Sequence, residues 1–68
     1  MDANLDRHVQ LAERRIVRGE GIVTRQLMLI DRLRLARRPT IEAERTLGIL
    51  EGTLREFYRN RETLLALI

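Results

Sequence analysis

Residues 15–26 read RIVRGEGIVTRQ, and two glycines interrupt this otherwise helix-forming stretch. The apolar residues on either side of the glycines share a single 4-3-4-3 spacing, which a loop at residues 19–21 would have no need to preserve. These residues are Leu5, Val9, Ala12 and Ile16 before the glycines and Val23, Ile30 and Leu33 after them. The spacing therefore predicts one continuous helix over about residues 5–37, although each interior glycine costs about 1 kcal/mol relative to alanine.

The end of this helix is marked by Pro39, the only proline in the chain. Proline disfavours helical geometry at the preceding residue, and Thr40 is a good N-cap for a following helix. We therefore expect a turn over residues 38–40 and a second helix over about residues 41–67. The same 4-3-4-3 spacing continues there in Ala43, Leu47, Leu50, Leu54, Phe57, Arg61, Leu64 and Ile68. Because so short a connection makes two helices antiparallel neighbours, the sequence predicts an all-α hairpin that forms a single domain over residues 1–68.

The two sets of regularly spaced residues, together with Gly19 and Gln26, form the seam along which the helices are expected to meet. Folding the chain at the turn brings Gly19 opposite Phe57. A small residue that faces a large one keeps the volume of a packed layer constant, so Gly19 is predicted to accept the phenyl ring. The same register places Arg34 beside Glu44 and Glu20 beside Tyr58. Each pair either forms a polar contact between the helices or consists of two solvated side chains.

Length and composition narrow the class of protein. A chain of 68 residues buries only about 60% of the surface that it exposes when unfolded, so such domains usually need a disulfide, a metal or a second copy. There is no cysteine and one histidine, which excludes disulfides and thiolate zinc sites. The polar N-terminal segment and the lack of an apolar run of about 18 residues argue against a signal peptide and a membrane span. We therefore expect a cytoplasmic protein without a cofactor.

The apolar residues outside the seam are too many for one hairpin to bury. Residues 22–30, IVTRQLMLI, are apolar over more than half of the helix circumference, which is typical of a helix buried on more than one side. We therefore predict a partner interface at Ile22, Gln26, Leu29 and Ile49. The partner is either a second copy, which would give a four-helix bundle with C2 symmetry, or another helical protein. In the dimer, Gln26 either meets its own copy across the two-fold axis or reaches the edge of the bundle.

Candidate catalytic groups are scarce. Serine and cysteine are absent, and the single histidine, His8, has only Asp6 and Glu13 within reach along its helix. No glycine-rich phosphate loop follows a strand. Because catalysis needs a convergent nucleophile, acid–base pair or metal, we expect no enzyme, no catalytic or metal site and no small-molecule substrate. The predicted function is non-enzymatic protein–protein interaction or assembly through the apolar face of the hairpin.

Nucleic-acid binding is the alternative function. Arg18, Arg25 and Arg32 recur every seven residues and form one stripe along the first helix. Residues 1–38 carry nine arginines and five acids, whereas residues 39–68 carry four arginines and five acids. Such an asymmetry is typical of a phosphate-binding surface. Against this function, no aromatic residue lies among these arginines to stack on a base, and a charged stripe on a bundle is more often a solvated face. The mixture of acids and arginines argues against a membrane interface.

Two resemblances accompany this pattern. The order of His8, Ala12, Glu13, Ile16, Gly19, Ile22, Gln26, Ile30 and Leu33, followed by Thr40, Ala43, Leu47, Leu54, Arg61 and Leu64, resembles that of short proteobacterial helical-hairpin proteins. This resemblance covers nearly the whole chain, rests mostly on seam positions and implies no activity. In size and layout, a hairpin that dimerises into a four-helix bundle also resembles the plasmid RNA-binding protein Rop, although a shared architecture does not carry a function with it.

Overall fold

The computed structural model describes residues 3–68, which form two α-helices and no strand. Helix α1 spans Ala3–Leu35 and helix α2 spans Ile41–Ala66. The helices pack side by side in opposite directions and give a hairpin that measures 54 × 14 × 11 Å. The predicted all-α helical hairpin is therefore confirmed.

Helix α1 runs without a break through Gly19 and Gly21, and neither glycine has a positive φ angle. The inference of one continuous helix from the seam spacing is therefore correct. The helix nevertheless begins and ends two residues earlier than the predicted range of 5–37. Helix α2 begins at the predicted Ile41 and ends one residue before the predicted position 67.

The early end of α1 has a local cause at Arg37, which adopts the left-handed conformation with φ 56°. The backbone N–H of Arg37 donates to the carbonyl of Arg34 at 3.0 Å, and the N–H of Arg38 donates to the carbonyl of Leu33 at 2.8 Å. This pair of bonds is the Schellman motif, which usually places glycine at the left-handed position. An arginine does not mark the left-handed position as a glycine would, so the predicted end at residue 37 lies two residues beyond the observed end.

Thr40 occupies the N-cap position of α2, as predicted, but its hydroxyl forms no capping hydrogen bond. A side-chain cap needs an extended backbone at this position. Thr40 has φ −115° and ψ −1°, which lies in the helical region. Its backbone carbonyl accepts the N–H of Glu44 at 2.8 Å. The start of α2 is therefore stabilised by backbone bonding and by Glu42 and Glu44, whose charges complement the helix dipole.

The core of the hairpin is the seam, and every seam residue except Ile68 is buried or half-buried. The most buried side chains are those of Ala12, Ile16, Ile30, Ala43 and Leu54. A Cβ atom added to Gly19 would lie 3.1 Å from Cδ1 of Leu54 and 3.5 Å from Cδ2 of Phe57. The predicted packing of Phe57 against Gly19 is confirmed, and Leu54 is a second and closer neighbour.

One hairpin leaves much of its surface uncovered. The chain exposes 5539 Å² to solvent. A compact protein of 8.0 kDa exposes about 4,450 Å². The hairpin therefore exposes about a quarter more surface than a compact protein of its mass, and large apolar side chains stay exposed on both helices.

Candidate protein interface

The two sides of the seam differ, and one of them is crossed by polar contacts. Arg34 Nη2 donates to Oε1 of Glu44 at 2.9 Å, and the Tyr58 hydroxyl donates to Oε2 of Glu20 at 2.6 Å. The predicted register is therefore confirmed for both pairs, and of the two alternatives the structure shows the polar contact. We call this side of the seam the bridged side. The residues that define it are Glu20, Arg34, Glu44 and Tyr58.

On the other side of the seam, α1 presents Ile22 and Leu29, and α2 presents the smaller Thr46 and Thr53. We call this side, defined by these four residues, the open side. Within residues 3–68, no ion pair joins the two helices here. A groove of about 280 Å³ lies in its surface, lined by Arg15, Arg18, Gly19, Ile22, Leu50, Thr53, Leu54 and Phe57. The lining is largely apolar, which favours an apolar side chain as its occupant.

Two small residues from opposite helices line the groove. Gly19 contributes no side chain, and Thr53 is shorter than the residues on the bridged side. The Thr53 hydroxyl donates to the backbone carbonyl of Ile49 at 3.2 Å, so its polar group is satisfied within its own helix. Because of this bond, the Thr53 hydroxyl needs no further acceptor when an apolar side chain occupies the groove.

Three of the predicted interface residues belong to this face. Ile22 is 36% exposed, Leu29 is 41% exposed and Ile49 is 66% exposed. Ile22 and Leu29 lie seven residues apart on α1. Ile49 lies within one helical turn of both Thr46 and Thr53, so it borders the open side on α2. The hairpin therefore brings these three apolar side chains to one surface.

Gln26, the fourth predicted interface residue, is half-buried in the seam. Its Nε2 donates to the backbone carbonyl of Ala43 at 2.9 Å. Neither predicted arrangement of Gln26, contact with its own copy or extension to the edge, included this bond. This bond uses one of the two N–H donors of Nε2 and joins the two helices of one hairpin. Gln26 therefore contributes to the contact between the helices of one hairpin.

The open side is bordered by two charged rims. Arg18, Arg25 and Arg32 are exposed along α1, and Arg18 lines the groove. We call these three residues the arginine rim. They form no ion pair within residues 3–68. Along α2, the same seven-residue spacing is shown by Glu42, Ile49 and Glu56. We call these three residues the acidic rim, after the two glutamates at its ends.

The acids of the acidic rim are exposed and paired along their own helix. Arg45 contacts Oε1 of Glu42 at 3.0 Å, and Arg59 contacts Oε1 of Glu56 at 2.7 Å. The arginine rim was predicted from its spacing, whereas the acidic rim was not. The seven-residue spacing of its members around Ile49 was the signal that could have revealed it.

A second, wider depression of about 700 Å³ lies on the outer surface of α1. It is lined by Gln10, Glu13, Arg14, Val17, Arg18, Gly21 and Arg25. All of these residues belong to one helix, and Gly21 contributes no side chain to the depression. Two of its arginines, Arg18 and Arg25, belong to the arginine rim, and Arg14 lies on the side of the rim away from the seam.

The titration of Tyr58 is perturbed by its contacts with Glu20 and Arg61. The hydrogen bond to Glu20 raises the pKa of Tyr58 above its ordinary value of 10.0, and desolvation and the charge of Glu20 act in the same direction. The Arg61 guanidinium lies 5.6 Å from the centre of the Tyr58 ring and lowers the pKa of the phenol, which opposes this shift. Arg61 is therefore held at the seam by a cation–π contact.

Other kinds of site find little support in the part of the chain that the structure describes. Across residues 3–68, no group of three histidine or acidic side chains is arranged to hold a metal ion. Neither α1 nor α2 contains an apolar segment long enough to cross a membrane.

Comparison of the chain with known protein families, with curated proteins and with solved structures finds no match. The resemblance to short proteobacterial hairpin proteins therefore stays a prediction, and the functional argument rests on the surface of the hairpin.

Proposed function

We propose that this hairpin is a non-enzymatic assembly module that associates with a second copy through its open side and forms a four-helix bundle. The observation that supports the proposal is the open side itself. It combines an apolar groove with the exposed side chains of Ile22, Leu29 and Ile49. An apolar face of this kind on a small helical protein marks a protein interface more often than a solvated surface.

The amount of exposed surface supports the same function. A stable protein interface typically removes about 800 Å² of surface from each partner. The surface that the hairpin exposes beyond a compact protein of its mass is of this order. Burial of apolar area contributes about 25 cal/mol per Å², so covering the open side adds the core that a single hairpin lacks.

A pair of leucines on α1 provides the test. Leu29 lies on the open side and is 41% exposed, whereas Leu27 is 46% exposed and lies seven residues from both Glu20 and Arg34 on the bridged side. Leu29→Gln and Leu27→Gln make the same chemical change at nearly equal exposure. Sedimentation equilibrium at micromolar concentrations measures the dimer of each variant, and circular dichroism checks that each is helical.

We expect the wild-type protein and the Leu27→Gln variant to be dimers. Leu29→Gln should weaken the dimer at least tenfold, because two leucines are lost per dimer and a tenfold change corresponds to about 1.4 kcal/mol. A wild-type chain that stays monomeric while fully helical would refute self-assembly. In that case, another helical protein would be the remaining occupant of the open side.

Nucleic-acid binding is the second candidate function. It is favoured by the arginine rim, whose three guanidinium groups lie on one side of α1 without an ion pair in residues 3–68. Exposed arginines that lie on one side of a helix can neutralise phosphates of a nucleic acid. The same residues also border the interface proposed above, so a separate measurement is needed to distinguish the two functions.

Titration of mixed DNA and RNA with the protein at two salt concentrations provides that measurement. Phosphate binding requires an affinity that falls steeply with salt. The triple variant Arg18→Gln, Arg25→Gln and Arg32→Gln should then lose binding. The triple variant Arg45→Gln, Arg55→Gln and Arg59→Gln removes the same charge from α2 and is the control. Absence of binding by the wild-type protein at low salt would remove this candidate.

A further inference from the structure

The arrangement of the two rims points to one geometry for the assembly. We propose that the second copy lies on the open side with its turn at the same end of the bundle. Helix α1 of each copy then packs against α2 of the other, and Arg18 and Arg32 pair with Glu56 and Glu42 of the second copy. This inference rests on the proposed function, because it specifies how the two copies meet.

Symmetry leaves two ways to place the open sides face to face with their helices aligned. A two-fold axis parallel to the helices puts α1 of one copy on α2 of the other and keeps both turns at one end. A two-fold axis perpendicular to the helices packs α1 against α1 of the second copy and α2 against α2. The two turns then lie at opposite ends of the bundle. The choice between these arrangements therefore depends on which rims can face each other.

Charge distinguishes the two arrangements. With the perpendicular axis, the arginine rim faces the arginine rim of the second copy, and the acidic rim faces the acidic rim. Like charges brought together at an interface oppose association. With the parallel axis, the arginine rim of each copy faces the acidic rim of the other. Opposite charges then meet along both edges of the interface.

The heights of the residues along the hairpin also agree with the parallel axis. Gly19 lies beside Phe57, and one step back along each antiparallel helix moves Arg18 and Glu56 in opposite directions, so they differ in height by only about 3 Å. A two-fold axis parallel to the helices conserves height. Arg18 of one copy therefore lies within reach of Glu56 of the other.

The same argument applies near the turn, where Arg34 contacts Glu44. Arg32 and Glu42 each lie two residues before a member of this pair in sequence. Because the helices are antiparallel, these two steps move in opposite directions along the axis by about 3 Å each. Together the two steps give a difference in height of about 6 Å between Arg32 and Glu42. A long arginine side chain spans this difference, so Arg32 reaches Glu42 of the second copy.

Between the two charged contacts, apolar residues meet. Ile49 lies seven residues from both Glu42 and Glu56, and Arg25 lies seven residues from both Arg18 and Arg32. Ile49 of the second copy therefore lies within about 3 Å of the height of Arg25. At this height it falls between Ile22 and Leu29, and the stem of Arg25 covers it from the side of the rim.

The existing pairs of the acidic rim are compatible with these contacts. Arg45 and Arg59 each bind one carboxylate oxygen, Oε1, of Glu42 and Glu56. A carboxylate has two oxygens and several acceptor positions, so each can accept an arginine of the second copy as well. The arginine rim has no ion pair within residues 3–68 that would have to break.

Charge reversal tests this geometry in the full-length dimer. Arg18→Glu and Glu56→Arg should each weaken the dimer about tenfold, because each replaces two attractive contacts per dimer with two repulsive ones. The double variant, which carries both changes in one chain, should return to near wild-type affinity. Arg14→Glu makes the same change on the outer surface of α1 and should leave the affinity unchanged.

The perpendicular axis gives a different result, because residue 18 then faces α1 of the second copy. The double variant would gain no contact between residues 18 and 56 and would not recover. Failure of the double variant to recover, in a protein that still dimerises, would overturn the parallel arrangement. The proposed function would survive that result, whereas a monomeric wild-type chain would refute it.

A distance measurement provides independent evidence. The chain has no cysteine, so Arg38→Cys introduces a single site in the exposed turn for a spin label. Turns at the same end place the two labels of a dimer within about 20 Å, or two helix diameters. Turns at opposite ends separate them by nearly the 54 Å length of the hairpin. A long distance would overturn the inference even if the charge variants behaved as expected.

Discussion

The bridged side and the open side flank the same seam with different chemistry. On the bridged side, long polar side chains from both helices meet, and these contacts are completed within one chain. On the open side, α1 offers branched apolar side chains and α2 offers threonines, so the seam is left with a groove. The residues that produce this difference lie two positions apart in each helix: Glu20 and Ile22 on α1, and Glu44 and Thr46 on α2.

This difference shows how a two-helix hairpin can be both a finished fold and half of a larger one. Ion pairs exposed to water contribute little to stability, so the bridged side sets register more than it adds free energy. The open side leaves apolar surface exposed, and only a partner can bury that surface. The following predictions test these two roles, from the largest expected effect to the smallest.

The largest effect is expected at Gly19, which forms the floor of the open side. Gly19→Leu places side-chain atoms where a Cβ already lies 3.1 Å from Leu54, and overpacking of this kind costs about 1–3 kcal/mol. At Gly21, an added Cβ meets only the end of Arg25, 4.0 Å away. Gly21→Leu should therefore stabilise the helix by up to about 1 kcal/mol.

Urea denaturation followed by circular dichroism measures both variants. The protein concentration must be the same in each experiment, because the stability of a dimer depends on it. Equal effects at the two glycines would mean that the seam does not pass through Gly19. The distinction between the two sides would then lose its structural basis.

The turn holds both sides in one register, and Arg37 is its strained residue. The left-handed conformation costs an arginine about 1 kcal/mol, a cost that glycine avoids. Arg37→Gly should therefore stabilise the hairpin by about this amount. Arg38→Gly removes the same charge at a residue without a positive φ and should destabilise the hairpin instead. Thermal unfolding of the two variants measures the difference, and a shift of the same sign in both would contradict it.

Much of the fold followed from the sequence because helical spacing fixes which residues share a face. The continuity of α1, the packing of Phe57 on Gly19 and the contact of Arg34 with Glu44 all depend on that spacing. The turn followed from the single proline. These features are properties of the backbone path, and each was specified by several residues at once.

The features that sequence reasoning missed depend on individual side chains or on missing atoms. Gln26 has several rotatable bonds, and its residue type did not predict the bond to Ala43. Arg37 adopts the left-handed conformation, which its residue type does not predict as a glycine would. The groove is a space between the helices, and residue types alone do not reveal how far Thr53 falls short of filling it.

A smaller effect is expected for the ion pair that closes the bridged side near the turn. A double-mutant cycle of Arg34→Ala and Glu44→Ala should give a coupling energy of about 0.2–1 kcal/mol, because both side chains are exposed. The coupling should fall at high salt, as screening predicts. The pair Arg59 and Glu56, which lies within α2, is the control and should give about 0.2–0.5 kcal/mol. A coupling well above 1 kcal/mol between Arg34 and Glu44 would show that the bridged side is a main source of stability.

The smallest effect concerns Tyr58 at the other end of the bridged side. Because the hydrogen bond to Glu20 raises the pKa of Tyr58 in the folded state, this contact stabilises the fold below pH 10 and is lost as the pH rises through the folded pKa. Tyr58 is the only tyrosine and the chain has no tryptophan, so its ultraviolet absorbance reports ionisation directly. Glu20→Ala should lower the pKa of Tyr58 toward its ordinary value, whereas Glu13→Ala, a matched change on the same helix, should not. An unchanged titration in Glu20→Ala would mean that the bond across the bridged side does not persist in solution, and the two sides of the seam would then differ only in the apolar face.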